Sequence, residues 1–150
     1  MEKQMKKSVV VLIGIIYIAS IALVSFFGLK FKVFEEVVYT ESVELLNEDI
    51  KPGNEDFDYY VAIRPDENGE RRYQIRYRVH PDNATDQSVS FALAPTSSDD
   101  DGAVSGVSID KNGVVTFEGD GIASVIVHVV ANNGSGEAAS VSLAIFAYAN

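Results

Sequence analysis

The chain has 150 residues, 22 acidic against 12 basic and no cysteine, for a formal net charge of −10. Without cysteine there are no disulfides, thiolate metal sites or cysteine nucleophile. Residues 1–32 hold five Lys and one Glu, a net of +4, so the other 118 carry −14, which makes that part a poor ligand for nucleic acid or anionic lipid headgroups.

Residues 1–7, MEKQMKK, form a short basic terminus. Residues 8–29, SVVVLIGIIYIASIALVSFFGL, contain no charge. At about 1.5 Å per residue such a helix covers roughly the 30 Å of a bilayer's hydrocarbon core. A cleavable secretory signal is the competing reading, with Ser20-Ile21-Ala22 as the cleavage site. Cleavage there leaves a greasy new N-terminus, and the uncharged run exceeds the usual signal length, so an uncleaved anchor is expected. Lys3, Lys6 and Lys7 before the span and acidic residues beyond it predict a cytoplasmic N-terminus and an extracellular C-terminal part in the plasma membrane. Gly14, Ala19, Ser20, Ala22 and Ser25 are small enough for packing against other helices.

Residues 30–46 read as a stalk and a possible first strand, carried by Val37, Tyr39, Val43 and Leu45. Residues 47–150, roughly a hundred, suffice for one domain with a real core and not for two. Asn47–Asp56, with Lys51-Pro52-Gly53-Asn54, is turn chemistry. From Phe57 the period becomes two: Phe57, Tyr59, Val61 and Ile63 share one face. Pro65-Asp-Glu-Asn-Gly69 then predicts a hairpin turn into a strand with Tyr73, Ile75, Tyr77 and Val79 inward and Gln74, Arg76, Arg78 and His80 outward. Further strands are predicted at Val89–Leu93, Val107–Ile109, Val114–Phe117, Ile122–Val130 and Ala138–Ala147. Ala123, Val125, Val127 and Val129 share one inward face, and Ala139, Val141, Leu143 and Ile145 share another. Seven or so short strands with no helical pattern between them predict an all-β, antiparallel sandwich preceded by a single membrane helix.

Three segments carry a family likeness: Val79-His-Pro81-Asp-Asn83-Ala84-Thr85, Asp110-Lys-Asn-Gly113-Val114-Val115-Thr116, and Gly121-Ile-Ala123-Ser-Val125. In this order and spacing the chain resembles the bacterial immunoglobulin-like family, group 2, over about residues 57–147. The likeness implies an immunoglobulin-like sandwich of the kind found in intimin- and invasin-type surface proteins, and a role in adhesion or spacing. Phe91 stands where that family often has Trp, and Ser97–Gly102 is an enlarged acidic insert.

No HExxH, Gly-rich phosphate cradle or Ser elbow is present, and His80 and His128 fall 48 positions apart on outward faces. The expectation is a protein that is not an enzyme and takes no cofactor. Asp99, Asp100, Asp101, Asp110 and Asp120, with Glu118, could supply oxygen ligands to Ca²⁺ if their loops share one end of the sandwich. Without EF-hand spacing a solvated acidic surface is the plainer reading. Arg64, Arg71, Arg72, Arg76 and Arg78 crowd into a single predicted hairpin. They pair with neighbouring carboxylates or form a docking patch for an acidic partner. Asn83-Ala-Thr85 and Asn133-Gly-Ser135 match glycosylation sequons.

Three functions fit: an anchored surface module that binds a protein or surface glycan or acts as a spacer, a structural accessory subunit of a larger membrane or envelope complex, and a processed pilin-like or secreted subunit. The expected partners are the bilayer, through residues 8–29, and a protein or glycan; nucleic acid is not one.

Overall fold

The computed structural model describes residues 6–30, 36–96 and 104–149. The chain divides into two compact units, Met1–Glu36 and Val37–Asn150.

In the first unit a single helix, α1, runs over Lys7–Lys30. Its 24 residues span about 36 Å. Large apolar side chains from Val9 to Phe26 stand exposed all round it. That is long and apolar enough to cross a membrane. The hydroxyl of Ser20 donates back to the Ile16 carbonyl at 2.8 Å, which removes a polar group from the helix surface.

The second unit is mostly β. Its strands are β1 (Ser42–Leu45), β2 (Lys51–Pro52), β3 (Tyr59–Ile63), β4 (Arg71–Gln74), β5 (Tyr77–His80), β6 (Val89–Ala94), β7 (Val107–Ile109), β8 (Val114–Phe117), β9 (Ala123–Ala131) and β10 (Ser140–Ala147). One sheet has the order β2-β3-β10-β9-β6. Opposite it lie a three-stranded sheet, β4-β8-β7, and the pair β1-β5. These two ladders run on into each other: Ile75 N donates to Gly113 O at 2.9 Å and Leu46 N to Arg76 O at 2.8 Å. Residues 71–80 thus form one line of chain that changes hydrogen-bonding partner halfway along. Val43, Val61, Tyr73, Ile75, Val79, Val115, Val127, Leu143 and Ile145, drawn from all these sheets, share one core, an arrangement consistent with a sandwich.

Alternation placed most of the inward residues correctly, because one face of each strand must leave water; on the predicted face of β3, Tyr59 is exposed, and Phe57, which precedes the strand, packs with Tyr60 and Phe146 instead. Val125, Val127 and Val129 on β9 and Leu143 and Ile145 on β10 are fully or almost fully buried. Pairing differs from expectation in three ways. Ten strands form among the described residues instead of about seven, since β2 arises within the predicted loop and the 71–80 line is divided. The sheet is not purely antiparallel: β3 pairs with β10 in parallel, Val61 beside Ile145. Finally, β3 and β4 are not a hairpin. Both edges of β3 are already taken, by β2 and β10, so the chain after it must cross to the other sheet.

The crossing turn still has the chemistry expected of it. Asp66 Oδ1 accepts from Asn68 N and Glu70 N, each at 2.8 Å, and Gly69 takes φ 79°. The same device closes the β7–β8 hairpin. There Asp110 Oδ1 accepts from Asn112 N at 2.8 Å and Val114 N at 2.9 Å, with Gly113 at φ 81°.

The segment just before β1 is fastened into this unit. Thr40 is fully buried; its N–H donates to Asn133 O at 2.9 Å and its carbonyl accepts from Ser135 N at 2.9 Å. Val38 N donates to Thr85 Oγ1 at 2.8 Å, and Val38 O accepts from Thr85 N at 2.9 Å. Both sequon segments therefore serve as clasps on the segment that leads into β1.

Candidate interaction surface

The divided line 71–80 sets the geometry of the arginine cluster. At its break the side chain of Asn47 replaces a strand partner: Arg76 N donates to Asn47 Oδ1 at 2.7 Å, and Asn47 Nδ2 donates to Gln74 O at 2.9 Å. Beneath this, Tyr73 donates its hydroxyl to Asp49 Oδ1 at 2.8 Å. Burial, and then the Asp49 carboxylate, push the Tyr73 phenol far above its ordinary range, so it stays neutral and a donor. Arg72, Arg76 and Arg78 project outward from this fixed backbone, all exposed.

The five arginines do not form one patch. Arg64 follows β3 and belongs with the other sheet. Arg71 is only 2% exposed and points inward. Its guanidinium donates to the carbonyls of Glu118 (3.0 Å), Gly119, Gly121 and Tyr148 (3.5 Å), tying the β8–β9 turn to the end of β10. Position 71 has the parity of the buried Tyr73, Ile75 and Val79, so alternation carried the signal that it lies inside. Of the remaining three, Arg76 and Arg78 keep the outward face predicted for them, and Arg72 is exposed beside them.

Carboxylates are interleaved with these arginines. Arg72 pairs with Glu70 at 3.3 Å, Arg78 stands opposite Glu44 in the β1–β5 register, and Arg76 borders a depression lined by Asn47, Glu48, Asp49 and Gln74. Glu44 in turn holds His80, Oε2 to Nε2 at 2.8 Å. The result is a rim of alternating sign able to pair with complementary charges, not a uniformly positive field.

Of the Ca²⁺ candidates, Asp99, Asp100 and Asp101 lie outside the described residues. Asp110 spends its carboxylate on its own turn, and Asp120 is exposed in the β8–β9 connection. Among the described residues, no three of His, Asp and Glu are arranged to hold a metal ion. His128 lies on the outer face of β9, opposite Ser142 and Ala92, apart from His80.

One surface feature escaped the sequence reading. Phe57, Tyr60 and Phe146 form a three-ring cluster with edge-on contacts at 6.2–6.5 Å. It sits on the outer face of the five-stranded sheet, where Ala144 stands opposite Tyr60 and is fully buried. Two-residue alternation marks one buried face and is silent about a second. Compared with known proteins, the chain matches no family model and no curated protein.

Proposed function

We propose that this chain is a membrane-anchored bacterial surface module. Its helix crosses the plasma membrane once, with the N-terminus inside, and its β domain stands outside the cell and acts by binding or spacing, without catalysis. The observation that carries this reading is the pairing of two unlike units: a helix apolar all round and an acidic β unit with a core of its own.

Strand order supports an immunoglobulin-like sandwich, whose two sheets run A-B-E-D and C-F-G. With β1 as A, β4 and β5 as B, β6 as C, β7 as D, β8 as E, β9 as F and β10 as G, the observed neighbours fall in that order, with β3 added beside G. The three family-like segments occupy the end of β5 with the turn after it, the β7–β8 hairpin, and the opening of β9 with the residues just before it. The mixed-charge rim of Arg72, Arg76 and Arg78 with Glu44 and Glu70 is the surface we assign to a protein or glycan partner. Reversing Arg76 to Glu should weaken that partner's capture and leave the fold intact; capture unchanged by the reversal removes the rim from the proposal.

Protease treatment of intact cells tests the whole reading. The chain should remain with carbonate-washed membranes and lose its β domain to protease added outside. A domain protected until lysis overturns it. A second reading, an accessory subunit of a membrane complex, is favoured by a shallow groove on α1 lined by Tyr17, Ser20, Ile21, Val24 and Ser25. Proteins co-purifying with the chain in fixed ratio would select it.

A further inference from the structure

Among the described residues, the sheets in this domain end on strands of very different character. β2 is two residues long and includes a proline. β7 has three residues and runs into Asp110 and Lys111, and β1 carries Glu44. Shortness, charge and proline are the means by which edges resist pairing with other chains. β6 has none of them: Val89-Ser-Phe-Ala-Leu-Ala94 is six residues long, uncharged and free of proline until Pro95 ends it.

The backbone groups β6 offers can be read from its ladder. Asn132 N donates to Ser88 O at 3.0 Å, so Ser88 and, by alternation, Ser90, Ala92 and Ala94 are bonded to β9. The N–H and C=O groups of Val89, Phe91 and Leu93 therefore point away from the sheet. Their side chains face the core yet stay half exposed, and beside them a cleft between the layers is lined by Val89, Ser90, Phe91, Ile109, Asp110 and Lys111. An added strand with apolar residues at every second position would satisfy the backbone and fill the cleft.

We propose that this strand is β6 of a second copy, paired antiparallel about a twofold axis at Phe91. The edge is self-complementary in that register. Phe91 meets Phe91 of the partner subunit, Val89 and Leu93 meet each other, and all three pairs are of the hydrogen-bonded kind. Ser90 stands opposite the partner's Ala92, and no charged residue between Gln87 and Pro95 meets another. Pro95, lacking an N–H, closes the seam. Since each copy is acidic overall, the two domains repel elsewhere, and salt should strengthen the pair.

The absence of native cysteine makes the register testable on the full chain in detergent. Ser90 and the partner's Ala92 form a non-hydrogen-bonded pair with Cα atoms about 4.5 Å apart, within disulfide reach, while 90–90 and 92–92 are diagonal neighbours at about 7–8 Å. Co-expressed Ser90→Cys and Ala92→Cys chains should cross-link under mild oxidation, several-fold more than either variant alone. Ala92→Lys, at an exposed position, should reduce the mass in the micelle from two chains to one with an unchanged circular dichroism spectrum. Raising ionic strength from about 0.01 M to 0.15 M shortens the screening length from about 30 Å to 8 Å and should increase the dimer fraction.

Equal cross-linking of mixed and single variants overturns the register. A dimer that persists with Ala92→Lys places association in α1 or elsewhere and overturns the seam. A monomeric chain, or one that holds a different protein and releases it in salt, overturns the choice of a second copy.

Discussion

A guanidinium inside a β domain persists only where acceptors surround it, and for Arg71 those acceptors are backbone carbonyls of two separate segments. Arg71→Met keeps an apolar side chain in place but leaves the Glu118, Gly119 and Gly121 carbonyls without their donor. We expect a loss of about 2–4 kcal/mol in denaturant unfolding. Arg71→Lys should recover only part of it, because a single ammonium cannot span acceptors that the planar fork reaches at once. A Met variant as stable as the parent would mean that water takes over those carbonyls. Asp110 offers a test by pH. Its carboxyl is held below the usual carboxylate range, first by the Val114 N–H and further by Asn112 and Gly113. Since the folded value is the lowered one, its stabilisation is complete above the unfolded value of about 3.9 and fades as pH falls through the folded one. Asp110→Ala should therefore melt below the parent by a constant gap from pH 7 to about 5, and the gap should narrow below about pH 4. Asp86, lowered by its bonds to Ser88, is common to both proteins and cancels. A gap that does not change with pH would show that the carboxylate's charge contributes nothing to the hairpin.

At the scale of elements, β10 stands between β3 and β9, and Leu143 at its centre is fully buried. Leu143→Ala should cost about 2–5 kcal/mol in the same denaturant titration; a cost under about 1 kcal/mol would mean that the site collapses around the smaller side chain. This core was legible because alternation depends only on which side of a strand faces water. Partner choice was not, because turn chemistry is local. Asp66–Gly69 and Asp110–Gly113 use the same bonds, yet one reverses the chain within a sheet and the other sends it across to the opposite layer. What decides is whether the preceding strand has a free edge, and the parallel β10 that occupies β3 lies some eighty residues later. The candidate surface was legible to the same degree. Outward parity gave Arg76 and Arg78 correctly; extended by two residues it would have given Arg72, and inward parity would have removed Arg71. The Asn47 bridge and the clasp on Thr40 depend on contacts between distant segments that carry no periodic signature.

For the molecule as a whole, if α1 crosses a membrane as proposed, the two units answer to different solvents and their energetics should separate. Residues 8–29 include 14 Val, Ile, Leu or Phe. On an insertion scale each contributes about −0.3 to −0.6 kcal/mol, or roughly −4 to −8 kcal/mol together. A single central arginine costs about 2.5–3.5 kcal/mol and leaves insertion favourable; two cost about 5–7 and remove most of that margin. Ile18→Arg alone should thus leave the chain in carbonate-washed membranes, whereas Ile15→Arg with Ile18→Arg should shift most of it to the soluble fraction. The melting of the β unit should not move in either variant, since among the described residues its apolar core begins at Val43. Retention of the double variant would mean that the membrane holds this chain by something other than the partition of α1. A melting transition that fell along with retention would mean that the β unit depends on the helix for its stability.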